Sequence, residues 1–368
     1  MNFSILQSQA IKCLNHVIGS TDKKDFLDIL SCVKVEIKSN IAKFTTTNLD
    51  MQSSDSVEIK SSGDFSFLAP IYSIIEIVKH LPASAEITFT IDDANPNILK
   101  ISSGKFNFNL SIVPVEDFPS MPATNFEHNI KIKSDKLLEC IKKTQFSISN
   151  DEVRYNLNGL MLHTEAGKLN FVSTDGHRLS VASTEVSIAN DLPNSIIPKR
   201  AISEIVKICS NSSDVELDFS TNKVSVKAGN VVFISKLIDG TFPDYKRVIP
   251  QSNDKLLTLE CAVLAKAVEL VSIANMGQEN KGVIFTISEN GIEISSKVDS
   301  CQASEFVSAT YTSKEQAVAK YNYKYILDVM SNVGTKSCIF KISSPESPIL
   351  ILPEGNENLR FVVMPMKM

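Results

Sequence analysis

The sequence predicts an α+β fold made of three tandem copies of one unit, each with two helices packed on antiparallel sheets. Three observations predict it. A strand-then-helix pattern recurs at a constant period of 127 residues. A second amphipathic helix recurs at nearly the same period. The first two copies close on a Phe-Pro pair, Phe118-Pro119 and Phe242-Pro243, 124 residues apart. Repeats at a fixed period mean one supersecondary unit used several times.

The first element of each copy reads FSILQSQAIKCLNHV from Phe3, IKIKSDKLLECIKKT from Ile130 and LTLECAVLAKAVELV from Leu257. Each begins with period-two alternation and passes into helical spacing. The helix stripes are Ala10, Cys13, Leu14, Val17; Leu137, Cys140, Ile141, Thr144; and Leu264, Ala267, Val268, Val271. Thr144 alone is not apolar. The second helix follows EIVK at 76–79, EIVK again at 204–207, and LDVM at 327–330. Its stripes are Ile74, Ile77, Val78, Leu81; Ile202, Ile205, Val206, Cys209; and Ile326, Val329, Met330, Val333. Pro70 and Pro198 precede the first two, where a helix start tolerates proline. Between the helices, runs such as KVEIKSNIAKFTT, KLNFVST and GIEISSK alternate as antiparallel strands do. Domain boundaries near 125 and 251 follow, giving domains 1–125, 126–251 and 252–368.

Composition agrees with this layout. A chain of 368 residues favours two or three domains, and units of about 120 residues are large enough to bury a core each. With 43 % apolar and 21 % charged residues it reads as an ordinary soluble protein. No run of about 18 apolar residues marks a membrane span, and the N-terminus has no secretory pattern. The seven cysteines are scattered and never C-x-x-C, so a disulfide framework or zinc site is not expected, and a reducing cytoplasm is. The formal charge of −5 argues against wrap-around nucleic-acid binding but leaves room for a local basic face.

Chemistry is poorly signposted. No phosphate-binding glycine motif, metalloprotease helix or nucleophile elbow occurs. The five histidines, at 16, 80, 128, 163 and 177, do not pair at metal-ligand spacing. Thr174-Asp175-Gly176-His177-Arg178 is the one candidate for a reactive loop. It reads first as a structural hairpin turn, next as a binding loop, and last as a catalytic loop with a histidine base, since no motif supplies that base with a nucleophile.

TDGHRL at 174–179, RYNLNGLML at 154–162, DGTFPDYKRVIP at 239–250 and VVMPM at 362–366, in that order, closely resemble the bacterial DNA sliding clamp family, the beta subunit of the replicative DNA polymerase III. The resemblance spans the whole chain and includes its three-copy layout. It implies two chains joined head to tail as a homodimer, in a ring of six similar domains around double-stranded DNA, without sequence preference. It implies no cofactor, no metal and no catalysis. Polymerase subunits and a clamp loader would dock by short peptides, in the cytoplasm. The alternative is a triple-repeat scaffold that encircles nothing.

The resemblance also assigns residues. A peptide groove between the second and third copies would use Leu157, Thr174, Gly176, His177, Arg178, Leu179, Pro243, Arg247, Val248, Asn322, Tyr325 and the tail Val362, Val363, Met364, Pro365 and Met366. Apolar and methionine side chains suit a site with several clients, with His177, Arg178, Arg247 and Asn322 as rim polar groups. DNA phosphates would meet Lys24, Lys199, Arg200 and Lys207, supported by Lys12, Lys23, Lys136, Lys142 and Lys143 on helix faces. Asp151-Glu152 and Asn156 depart from the family pattern, so no DNA contact is assigned there. Relatives usually end on arginine and leucine; this chain ends on Lys367 and Met368. The ring contact would join Phe108 of one chain to Ile273 of the other, although Phe108 reads equally well as a core residue.

Overall fold

The computed structural model describes residues 1–22, 29–119, 121–275, 281–298 and 301–368. Among them are six α-helices, two per copy: α1 Gln7–Val17, α2 Ile71–Lys79, α3 Ser134–Thr144, α4 Lys199–Cys209, α5 Cys261–Ser272 and α6 Tyr323–Val333. Pro70 is the N-cap of α2, and Pro198 directly precedes α4.

The helix stripes are buried nearly as the periodicity predicts. In α1, Ala10, Cys13, Leu14 and Val17 are buried. In α5 it is Leu264, Ala267, Val268 and Val271, and in α6 Ile326, Val329, Met330 and Val333. Replacing one fully buried member, such as Leu14 by alanine, costs about 2–5 kcal/mol. Thr144 is buried too, and its hydroxyl donates to the Cys140 carbonyl one turn back at 2.7 Å, so the odd polar residue is satisfied inside the stripe. Two positions differ. Ile77 and Val206 are only half-buried, and Ile75 and Ile208 are buried instead. In α2 and α4 the buried stripe is therefore wider than a single row, as an amphipathic helix on a core allows.

The described residues form two compact units. One comprises residues 1–135 and 203–237, the other 136–202 and 238–368. Each joins strands from two sequence copies. In the first unit, Met51–Glu58 of copy one pairs antiparallel with Val231–Lys236 of copy two, from Val232↔Ser54 to Ser235↔Met51. This makes an eight-stranded sheet. In the second unit, Arg178–Glu185 of copy two pairs with Leu359–Val363 of copy three, from Arg178↔Val363 to Ala182↔Leu359, within a nine-stranded sheet. Pairing of edge strands removes their unsatisfied backbone groups, which is why the compact units run across sequence copies.

Among the described residues, each of the remaining sheets ends on an edge strand without a partner. The five-stranded sheet of the first unit ends on Phe106–Ser111. The four-stranded sheet of the second unit ends on Cys301–Ser308. In the first unit α1 packs on α2, and in the second α5 packs on α6. No helix among the described residues is long and apolar enough to cross a membrane.

Candidate peptide-docking groove

Most of the residues assigned to the groove come together within the second unit. Leu157, Leu179 and Val362 are buried in one apolar cluster with Met161, Val172, Val181, Ile196, Phe242, Tyr245, Ile249 and Leu350, and Val248 packs against it half-buried. Leu157 arrives on a short 3-10 turn, Leu179 on the strand after the TDGHR hairpin, and Val362 on the tail strand beside it. Alternation along those two strands sends Leu179 and Val362 into the same cluster.

The hairpin carries a dense local network. It connects Lys168–Thr174 to Arg178–Glu185 through three residues. Gly176 has φ +88°, a left-handed conformation that suits glycine. A Cβ there would lie 2.4 Å from a guanidinium nitrogen of Arg154, which is held by Asp151 at 2.9 Å. The close approach that needs this glycine is therefore made by an arginine of the same chain. The Asp175 carboxylate accepts from the backbone N–H of His177 and of Arg178, at 2.9 and 3.0 Å. The Thr174 hydroxyl donates to the Arg178 carbonyl at 2.6 Å and accepts from Gly176 N–H at 3.1 Å. Asp-Gly here serves as a turn, and His177 stands exposed with its ring 6.5 Å from that of Tyr325, the two planes within 19°.

Arg178 is placed differently from a rim donor. Its side chain is 11 % exposed. Nε donates to Asp175 at 3.0 Å, Nη1 to Asp328 at 2.5 Å and Nη2 to the Phe146 carbonyl at 2.6 Å. The guanidinium carbon lies 5.2 Å from the Phe146 ring centroid and 4.5 Å from that of Tyr325. Burial, and the nearby Asp175 charge, push the Tyr325 phenol above its ordinary value. Asn322 is not a free rim amide either, since it caps α6 by accepting from Lys324 N–H at 3.0 Å. Pro243 and Arg247 are exposed, Arg247 pairing with Asp244 at 2.9 Å.

The tail is tied down, not frayed. Met364 N–H donates to the His177 carbonyl at 2.9 Å, and Met366 N–H to the Lys320 carbonyl at 2.7 Å. Val363 is buried, Met364, Pro365 and Met366 are half-buried, and Lys367 and Met368 are exposed. Of the three groups that engage Arg178, Asp175 stands in the loop the sequence singles out, while Asp328 and Phe146 are not marked there. LDVM at 327–330 was the available signal, because its aspartate occupies the slot of the EIVK glutamate.

The basic residues divide. Lys199, Arg200 and Lys207 are exposed on α4; Lys199 donates to Asn150 at 2.6 Å and Lys207 pairs with Glu204 at 2.7 Å. Lys12, Lys136 and Lys142 are exposed as expected. Lys143 is not. It turns inward to the Asn332 carbonyl at 2.5 Å, its Nζ filling the space where a Cβ on Gly334 would sit, and burial lowers its pKa. Lys23 and Lys24 lie outside the described residues.

Phe108 is 38 % exposed on the edge strand Phe106–Ser111, so it is not a core residue, and Ile273 is 57 % exposed just past α5. Phe106 and Phe306, missed in the sequence, are 60 % and 52 % exposed on the two unpaired edge strands. Their alternation looks like that of any half-buried strand, and only the sheet order shows that each lies on an edge.

Family models described as the N-terminal, central and C-terminal domains of the DNA polymerase III beta subunit match residues 1–122, 131–244 and 246–367. The beta sliding clamp of Caulobacter vibrioides is 32 % identical, with all of both chains covered. A sliding clamp structure from Bartonella birtlesii bound to griselimycin superposes with a TM-score of 0.94 at 32 % identity, covering 100 % of each chain. The DNA polymerase III beta subunit of Pseudomonas aeruginosa superposes with a TM-score of 0.95 at 28 % identity, again over 100 % of each chain. The chain belongs to the DNA polymerase III beta subunit family, the beta sliding clamps.

Proposed function

We propose that two copies of this chain close head to tail into a ring of six domains, 1–125, 126–251 and 252–368 from each chain, around duplex DNA in the cytoplasm. The ring holds replicative polymerase subunits, a clamp loader and other clients to the DNA through short peptides. It acts by holding, and catalysis is no part of its role.

The observation that carries this reading is the pair of unpaired edge strands. Phe106–Ser111 belongs to copy one and Cys301–Ser308 to copy three, and both expose phenylalanine. A contact between unlike edges is heterologous, and it ends in a ring when the rotation closes. Phe108 and Ile273 flank that contact. Lys24, Lys199, Arg200 and Lys207 meet phosphates inside the ring, where sequence-blind, salt-sensitive contacts permit sliding. The net charge of −5 keeps the outside from holding stray DNA.

The groove of the second unit takes an extended peptide by apolar anchors, with Leu157, Thr174, Leu179, Val248, Val362, Val363, Met364, Pro365 and Met366 as its floor and wall. Gly176, His177, Pro243, Arg247, Asn322 and Tyr325 line its rim, and Arg178 supports it from within.

Retention on circular and linear DNA decides between ring and scaffold. A loaded ring stays on nicked circular duplex through gel filtration at high salt and slides off once the circle is cut. Equal retention on both forms, or on neither after loading, refutes encirclement.

A further inference from the structure

We infer that Asp328, on α6, is a positioning residue of the docking groove: its carboxylate holds the Arg178 guanidinium beneath Tyr325, and so fixes the rim made by Tyr325 and His177. This rests on the reading of the groove as a peptide site.

The geometry assigns each nitrogen of Arg178 one duty. Asp175 takes Nε, the Phe146 carbonyl takes Nη2, and Asp328 takes Nη1. The first two anchors lie in the same sequence copy as Arg178. Asp175 is moreover committed to shaping its own hairpin, through the N–H groups of His177 and Arg178. Asp328 is the carboxylate that ties the hairpin of copy two to a helix of copy three. It stands three residues after Tyr325, so both face the same way from α6. The guanidinium is thereby pinned at its edge by Asp328 and covered on its face by the Tyr325 ring at 4.5 Å, while that ring stacks with His177. A planar fork held at three points cannot rotate, and a ring resting on it has a fixed platform.

The energy involved suits orientation more than stability. Asp328 is 47 % exposed, so solvent screens much of its attraction. The chain also contains a comparison of its own. In the first unit, Met51 occupies the place of Arg178, since Met51↔Ser235 repeats the register of Arg178↔Val363. Glu204 occupies the place of Asp328. It is buried, lies against Gly19 and pairs with Lys207. The same scaffold therefore folds without an arginine-carboxylate latch at that position, so the latch is particular to the groove.

The test is a double-mutant cycle read by fluorescence polarisation on the full-length protein, with a short labelled peptide carrying leucine and phenylalanine anchors. D328A weakens binding about tenfold, and D328E restores most of it. R178M, the substitution the chain itself uses at Met51, weakens binding by a similar factor. In the R178M background, D328A changes affinity less than about twofold, because there is no guanidinium left to hold. A general structural role for Asp328 gives additive losses instead, and additive losses overturn the proposal. So does wild-type affinity in D328A. Failure of the wild-type protein to bind the peptide at all removes the groove reading itself, and with it this role of Asp328.

Discussion

Removing residues 364–368 separates the groove from the fold. The tail strand Leu359–Val363 stays, with its pairing to Arg178–Glu185 and to Ile349–Pro353. The deletion loses two backbone hydrogen bonds, Met364 N–H to His177 and Met366 N–H to Lys320. At about 1 kcal/mol net each, the loss of stability is about 2 kcal/mol. That is modest for a unit whose core contains Phe171, Phe285, Phe340 and Phe361 fully buried. Binding suffers more directly. Met364 and Met366 are half-buried in the free chain, so a ligand can cover what is left of each, worth about 1 kcal/mol apiece. Losing both is about 2 kcal/mol, or about 30-fold in Kd, before any loosening of His177 is counted. The assay is fluorescence polarisation with the labelled anchor peptide, alongside sedimentation equilibrium to check that the dimer mass is unchanged. A truncated chain that folds, dimerises and binds within about threefold of wild type refutes the assignment of the tail to the groove.

Three further outcomes are expected. Phe106→Glu or Phe108→Glu on the edge strand converts the dimer to a monomer in sedimentation equilibrium and leaves peptide affinity unchanged; a persistent dimer contradicts the edge-strand contact. His163 is buried and hydrogen-bonded to the Tyr245 hydroxyl at 3.0 Å, and burial holds its pKa below the ordinary 6.5. The unfolded chain therefore binds a proton that the native chain refuses, and stability falls as pH drops through about 6.5, until the native pKa is reached. His163→Gln flattens the urea midpoint over that range, and an unaltered pH slope rejects the assignment. Cys301 is the exposed thiol of seven in the single chain, whereas burial pushes the Cys140 and Cys209 thiols up to about 12, so the Phe108→Glu monomer shows one fast-reacting thiol with Ellman's reagent and loses it when Cys301→Ser is added.

The helices were legible because their stripes are local. Leu14, Val17, Val268 and Val329 announce burial through neighbours three and four residues away, and the copies repeat the message. The apolar floor of the groove was legible only by resemblance, since Leu157, Leu179 and Val362 are brought together by sheet pairing across about 200 residues of chain. The setting of Arg178 was marked in the sequence only by the aspartate of LDVM. Its partners lie 3, 32 and 150 residues away, and no short-range period links them. Lys143 shows the same limit, because nothing in KKT tells which lysine turns toward a carbonyl on α6. The phenylalanines at 106 and 306 alternate as core residues do, and only strand order makes them edges.

Every residue assigned to the proposed groove, from Leu157 to Met366, lies within the second unit of one polypeptide. A two-chain ring accordingly has two equivalent berths, and a client seated in one leaves the other open. A newcomer can wait at the vacant berth while the resident departs, so succession between clients does not require the ring to be empty at any moment. The number of berths also sets a ceiling: a third client must wait, and the relative concentrations of the tethered peptides decide which two ride.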